Sequence, residues 1–286
     1  MPQAGGIDGL TKRGARDILG GIKAEKVKIA ITGKGGVGKS TLAALMARVL
    51  VQGGKRVVLI DADPDMNLAT LLGVPPEQAI TPIIELKELI AERTGARPGE
   101  PAPFFTMNPK VDDIPEKYSV EREGIKLLVM GTVQRGGGGC ACPENAFLKS
   151  LLGHLMIARR EWVILDMEAG IEHLGRGTAL GVDCMLVVVE PNRTSLETAF
   201  RIRRLAGDLG IRRVQVVGNK IRGPEEERFI RENAGELEVL GMIEASEEVR
   251  RISTGEASMF SFNGIAIEQV AALVQRIGAG SLAGKS

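Results

Sequence analysis

The stretch that decides the fold is Val27-Lys28-Ile29-Ala30-Ile31-Thr32, followed by Gly33-Lys34-Gly35-Gly36-Val37-Gly38-Lys39-Ser40-Thr41 and a long apolar-periodic segment. Residues 27–32 read as a short strand. Residues 39–52 place Leu42, Leu45, Met46, Val49 and Leu50 at helical spacing, and Gly53-Gly54 ends the pattern. The loop between them fits G-x-x-x-x-G-K-[ST] in its required strand-to-helix setting. Glycines let backbone N–H groups curl around anionic oxygens, and the helix N-terminus adds its dipole. Lys39 then reaches the β- and γ-phosphates, and the Ser40 hydroxyl can ligate Mg²⁺. Gly33-x-Gly35-x-x-Gly38 also fits the dinucleotide fingerprint, with Asp61 near the place of a ribose-binding acid. Lys39-Ser40-Thr41 decides for a nucleoside triphosphate, because a dinucleotide site needs no lysine at the β/γ position.

Outward from this loop, strands and helices alternate. Strands are expected at residues 57–60, 126–130, 162–165, 184–189 and 214–217, with a seventh at 239–243. Thr81-Pro82 has the signature of a helix start and Gly95 of its end. Residues 97–123 hold five prolines and many charges and read as an irregular excursion. A second glycine loop, 131–139, leads into Cys140-Ala141-Cys142-Pro143 and a helix to about Ile157. Thr194-x-x-Glu197 reads as a capping box for a helix stopped by Gly210, and a last helix spans about 265–277. Such alternation predicts an α/β fold: a mainly parallel sheet of about seven strands with helices on both faces. One domain is expected over residues 27–278, with a poorly ordered extension at 1–26 and a tail at 279–286.

Composition narrows the function classes. The chain has 286 residues, and 37 Lys plus Arg against 36 Asp plus Glu leave a net charge of +1. Binding nucleic acid by bulk charge needs a basic excess, so no nucleic-acid partner is expected. Uninterrupted apolar runs reach six residues, at 42–47 and 184–189, far short of the ~20 of a membrane-spanning helix. The first 26 residues contain no apolar core of signal-peptide length, and three cysteines make no disulfide framework. A reducing cytoplasm is the expected compartment.

Lys34, directly after the first glycine, adds a second lysine to the loop. Gly-Lys-Gly-Gly-Val-Gly-Lys-Ser-Thr resembles the loop of the deviant Walker-A ATPases, the group of the cell-division, partition and nitrogenase-iron-protein ATPases. The resemblance implies ATP hydrolysis with Mg²⁺ in a nucleotide-dependent homodimer, Lys34 crossing to the partner's nucleotide. Asp61-Ala62-Asp63-Pro64 is similar to the group's first switch, which implies that Asp63 orients the attacking water and Asp61 assists through the Mg²⁺ shell. Val163-Ile164-Leu165-Asp166 is an aliphatic strand ending in an acid, as a Walker B element is, and Asp166-Met167-Glu168-Ala169-Gly170 resembles the second switch. Asn219-Lys220 resembles the base-reading segment. Nucleotide contacts are thus expected from Gly33 through Thr41, Asp166, Asn219 and Lys220.

Cys140 and Cys142 stand one residue apart behind Gly136-Gly137-Gly138-Gly139. Two thiolates at that spacing can converge on one soft or borderline metal but cannot close its shell. A symmetric dimer would supply two more. Together with the phosphate loop, Asp61-Ala62-Asp63-Pro64, Asn108-Pro109-Lys110-Val111-Asp112, Asp166 through His173, Glu190-Pro191-Asn192 and 205–210, the Cys-x-Cys resembles the CooC-type nickel-insertion ATPases over roughly 27–255. That implies Ni²⁺, or Zn²⁺ in its place, at Cys140 and Cys142. It also implies a client nickel enzyme of the carbon monoxide dehydrogenase type. Glu168 and the pair Ile243-Glu244 depart from the pattern, which has a small residue and Ile-Pro there. A spatial-organising ATPase acting on membrane or DNA is the alternative. An electron-transfer iron–sulfur ATPase is a third reading, opposed by the absence of cysteine in 166–170. His173 reads as a hydrogen-bonded loop histidine, and His154 and Cys184 as structural residues.

Overall fold

The computed structural model describes residues 24, 26–78, 80–100, 104–132, 142–157, 159–170, 176–179, 181–261 and 263–283. Strands β1 (Lys28–Gly33), β2 (Val57–Ala62), β3 (Val120–Arg122), β4 (Ile125–Val129), β5 (Trp162–Met167), β6 (Cys184–Val189), β7 (Val214–Ile221) and β8 (Glu238–Glu244) form one sheet in the order β3-β4-β2-β5-β1-β6-β7-β8. Every pairing is parallel except β3 with β4. The seven expected strands are therefore the seven parallel ones. The eighth, β3, lies in the excursion read as irregular, which also holds a short helix, Ile114–Tyr118. Prolines concentrated upstream of both elements hid them.

β1, β5 and β6 are buried along their whole length, as central strands of a doubly covered sheet must be. Alternate residues feed two cores. Ile29, Ile31, Leu59, Ile164 and Val188 face α1 (Lys39–Gln52) and α10 (Ile265–Ala283). Ala30, Ile60, Val163, Leu165 and Val187 face α5 (Pro143–Ile157) and α7 (Arg193–Leu209). In α1 the periodic set Leu42, Leu45, Met46, Val49 and Leu50 is buried, at roughly 1.5–3 kcal/mol for each side chain. This anchors the helix whose N-terminus meets the phosphate loop.

Several boundaries differ from expectation. Pro82 is extended (ψ 140°), and α3 (Lys87–Thr94) starts behind a 3₁₀ turn at Ile83–Glu85; Gly95 does close it, at φ 78°. The cap of α7 is Asn192, whose side chain accepts from the Ser195 N–H at 2.9 Å; Thr194 lies inside the helix. Asn192 is extended and can point its amide oxygen back at the first turn, a geometry the Thr-x-x-Glu spacing does not reveal. The last helix runs on to Ala283, through the expected domain end at 278. Ala24 is buried and its carbonyl accepts from the Trp162 indole at 3.2 Å, so packing begins before Val27. No helix among the described residues is long and apolar enough to cross a membrane.

Candidate nucleotide site

The carboxyl ends of β1, β2, β5 and β7 open on one cavity of about 950 Å³, where parallel α/β sheets characteristically bind ligands. The glycine loop forms one wall. Gly33 has φ 148°, and a Cβ there would lie 2.4 Å from the Val188 carbonyl oxygen, so β6 passes too close for any side chain. Gly38 caps α1 at φ 94°, and its Cβ would meet the Asn219 amide at 2.4 Å. The first N–H groups of α1 lack intrahelical acceptors and face the cavity, as an anion site requires.

Four charged groups gather behind the loop with almost no exposure. Lys39 is 7% exposed and its Nζ lies 3.3 Å from Asp63 Oδ2. Asp61 and Asp166 are fully buried on adjacent strands and are register partners. They are not equivalent. Asp61 turns into its own loop: Oδ1 accepts from the Asp63 N–H at 3.3 Å and Oδ2 from the Leu68 N–H at 3.0 Å. Burial pushes its pKa up to about 6, against those two donors. Asp166 has no hydrogen-bond partner on either oxygen among the described residues. Burial pushes it up to about 7, opposed by the nearby Ser40 side chain and the Lys39 charge. A buried carboxylate with two orphaned oxygens is costly unless something cationic meets it. Hard oxygen donors from Ser40 and Asp166 suit Mg²⁺, which takes one or two protein ligands plus phosphates and water. Among the described residues no cluster of three or more His, Cys, Asp or Glu could hold a metal by itself.

Lys34 is exposed and donates to the Thr194 Oγ1 at 3.1 Å, at the start of α7. In the second switch segment, the Thr32 hydroxyl donates to the Glu168 carbonyl at 2.7 Å, and Glu168 lines the cavity. The backbone of the atypical residue is thus tied to the end of β1, beside the glycine loop.

The other end of the cavity is lined by Asn219, Arg222, Ile243, Glu244, Ala245 and the first turn of α9 (Glu247–Ser253). Asn219 spends one amide N–H on the Val37 carbonyl at 2.7 Å. Glu244 replaces an expected proline, and its N–H is not wasted: it donates to Gln269 Oε1 at 3.0 Å, while Gln269 Nε2 donates back to Glu244 Oε1 at 3.0 Å. Sequence reading missed Arg222 and the α9 wall. Their one signal was position, directly past a parallel strand's carboxyl end.

Cys142 is half-buried just before α5 and forms no disulfide. Cys140 and His173 lie outside the described residues. Cys184 is buried in β6, donates to Gln215 Oε1 at 3.3 Å, and has its pKa pushed up to about 12 by burial, consistent with a structural thiol. His154 sits half-buried in α5.

With this geometry established, similarity to other proteins becomes informative. Residues 28–258 match the CobQ/CobB/MinD/ParA nucleotide binding domain. The chain is 45% identical to the carbon monoxide dehydrogenase accessory protein CooC of Rhodospirillum rubrum over 88% of its own length and 98% of that protein's. It is 49% identical to an uncharacterized ATP-binding protein of Methanocaldococcus jannaschii, MJ0823, over 78% and 87% of the two chains. In structure it is similar to the MinD cell division protein of Aquifex aeolicus (TM-score 0.62, 22% identity, 91% and 98% covered). It is also similar to an AMPPNP-bound plasmid partition protein of Borrelia burgdorferi (TM-score 0.63, 16% identity, 88% and 98% covered).

Proposed function

The chain belongs to the CobQ/CobB/MinD/ParA family of P-loop ATPases and to its CooC-type branch, and from that premise we propose that it is an ATP-driven metallochaperone delivering nickel to a carbon monoxide dehydrogenase-type enzyme. The observation that carries the reading is the coexistence, on a chain aligned with nearly all of CooC, of a phosphate site and Cys140-Ala141-Cys142.

In this reading the loop N–H groups and Lys39 hold the β- and γ-phosphates. Ser40 and Asp166 hold Mg²⁺, which when bound neutralises phosphate charge. Asp63, paired with Lys39 at the phosphate end, orients the attacking water. Water adds to the γ-phosphorus, the bond to the β–γ bridging oxygen breaks with its electron pair leaving on ADP, and a proton of the attacking water passes to a phosphate oxygen or to solvent, giving inorganic phosphate. Asp61 serves the switch by holding the loop through Leu68. Lys34 crosses to the nucleotide of a second copy, and the resulting dimer brings Cys140 and Cys142 of both chains around one nickel ion, the cargo. Hydrolysis loosens the dimer and releases it.

The spatial-organising alternative draws less support. Membrane attachment by an amphipathic C-terminal helix needs a free apolar face, and in α10 the residues Ala266, Val270, Leu273, Val274 and Ile277 are buried in the core with α1.

An anaerobic Ni²⁺ titration of the reduced protein, with and without ATP or ADP, tests the proposal through thiolate-to-nickel absorption. The expected result is one nickel per two chains, changed by nucleotide and lost after Cys140→Ser plus Cys142→Ser. Absence of a thiolate band in every nucleotide state would overturn it.

A further inference from the structure

Within the glycine loop the Val37 N–H closes a turn on the Lys34 carbonyl at 3.4 Å, and the loop's other carbonyl oxygens are left to partners outside it. Two of these, on Gly36 and Val37, are taken by consecutive residues of β7. Asn219 Nδ2 donates to Val37 O at 2.7 Å, and Lys220 Nζ donates to Gly36 O at 2.7 Å. Neighbouring residues of a regular strand point to opposite faces and could not do this. The backbone departs from regularity here. Lys220 has φ 59°, rare for a non-glycine residue, and the β7–β8 register shifts between Gly218 and Ile221.

The same ammonium binds Glu190 Oε1 at 2.6 Å. Glu190 Oε2 accepts from Asn192 Nδ2 at 3.5 Å, Asn192 Oδ1 accepts from the Thr194 hydroxyl at 3.0 Å, and Thr194 accepts from Lys34 Nζ at 3.1 Å. A polar ring thus leaves the loop at Lys34 and returns to it at Gly36. The Lys220 and Glu190 side chains are 50% and 29% exposed, so their ion pair adds little to stability. Its consequence is geometric.

We infer that Lys220 is a positioning residue of the ATPase: with Glu190 as its counter-ion, it holds the Gly36 carbonyl outward and so keeps the phosphate-binding N–H groups aimed at the nucleotide, without reading the base. This rests on nucleotide binding by the chain and not on the nickel reading.

Binding of ADP and of inosine diphosphate to wild type, Lys220→Met, Lys220→Arg and Glu190→Gln separates the possibilities, because the two ligands share phosphates and differ in the base edge. Lys220→Met is expected to weaken both by the same factor, about tenfold, the loss of one charge-assisted hydrogen bond. Lys220→Arg should recover most of this, and Glu190→Gln should weaken both ligands by a smaller but equal factor. Equal losses with an unchanged melting temperature support the assignment. Unchanged affinity in Lys220→Met, or a loss for ADP alone, overturns it. Should Lys220→Met fail to fold, Glu190→Gln decides alone: equal weakening of both ligands supports the assignment, and wild-type affinity for both overturns it.

Discussion

The two ends of the nucleotide cavity are built differently. The phosphate end is dry. Lys39, Asp61, Asp63 and Asp166 are all at most 7% exposed, and sheet register fixes Asp61 opposite Asp166. The base end is wet, assembled from Arg222 just past β7, Glu244 at the end of β8 and the largely exposed α9. Electrostatic interactions strengthen as water is excluded. The phosphate end should therefore carry most of the affinity and the chemistry, with the base end tuning both.

Breaking the phosphate end should give the largest effects. Lys39→Ala is expected to lower turnover by about 10²–10³, the loss of a donor aimed at transition-state charge, read as phosphate release under saturating Mg–ATP. A loss no larger than that of a base-end variant would erase the contrast. Asp166→Asn should abolish the gain in ADP affinity that Mg²⁺ brings to wild type.

The same acids predict a pH dependence. Asp61 and Asp166 have folded pKa values of about 6 and 7, above the ordinary 3.8. Between pH 4 and 7 these two sites hold protons in the folded protein that they release in the unfolded chain, so their contribution to stability falls as pH rises through that window. In EDTA, the denaturation midpoint should be higher at pH 5 than at pH 7.5, and Asp166→Asn should narrow the gap. A midpoint that rises with pH would mean that burial does not hold these two acids protonated.

The contrast also explains what could be read in advance. The proposed phosphate end announces itself because its pattern is local: nine consecutive residues form the glycine loop, and aliphatic strands ending near Asp61 and Asp166 place acids beside it. Helix α1 begins and ends where its spacing says, because an apolar run buried on all sides and a terminal glycine pair agree. Residues 114–122 were missed because prolines and charges mask a short helix and a three-residue edge strand that neighbours stabilise. Asn219 fits a base-reading motif, yet the contact it makes is with Val37, 182 positions away, and no local pattern encodes that. The asymmetry between Asp61 and Asp166 was equally invisible, since both are acids at strand ends.

Base-end changes should be smaller. Asn219→Ala is expected to weaken ADP about two- to tenfold, the worth of one neutral hydrogen bond, measured by titration calorimetry. Gln269→Ala removes an exposed clasp on Glu244 and should shift stability by no more than ~0.5 kcal/mol, as surface changes do. A large loss of ADP affinity in that variant would show that the base end is held more tightly than its exposure implies.

The most direct test joins the nucleotide site to the cysteine pair. Reduced protein would be sedimented anaerobically with Ni²⁺ and a non-hydrolysable ATP analogue, the boundary followed both at the protein absorbance and at the thiolate-to-nickel band. The account predicts that the nickel band travels with a dimer, and that Lys39→Ala leaves a monomer without it. A nickel band on the monomer, or a nucleotide-bound dimer carrying none, would contradict it.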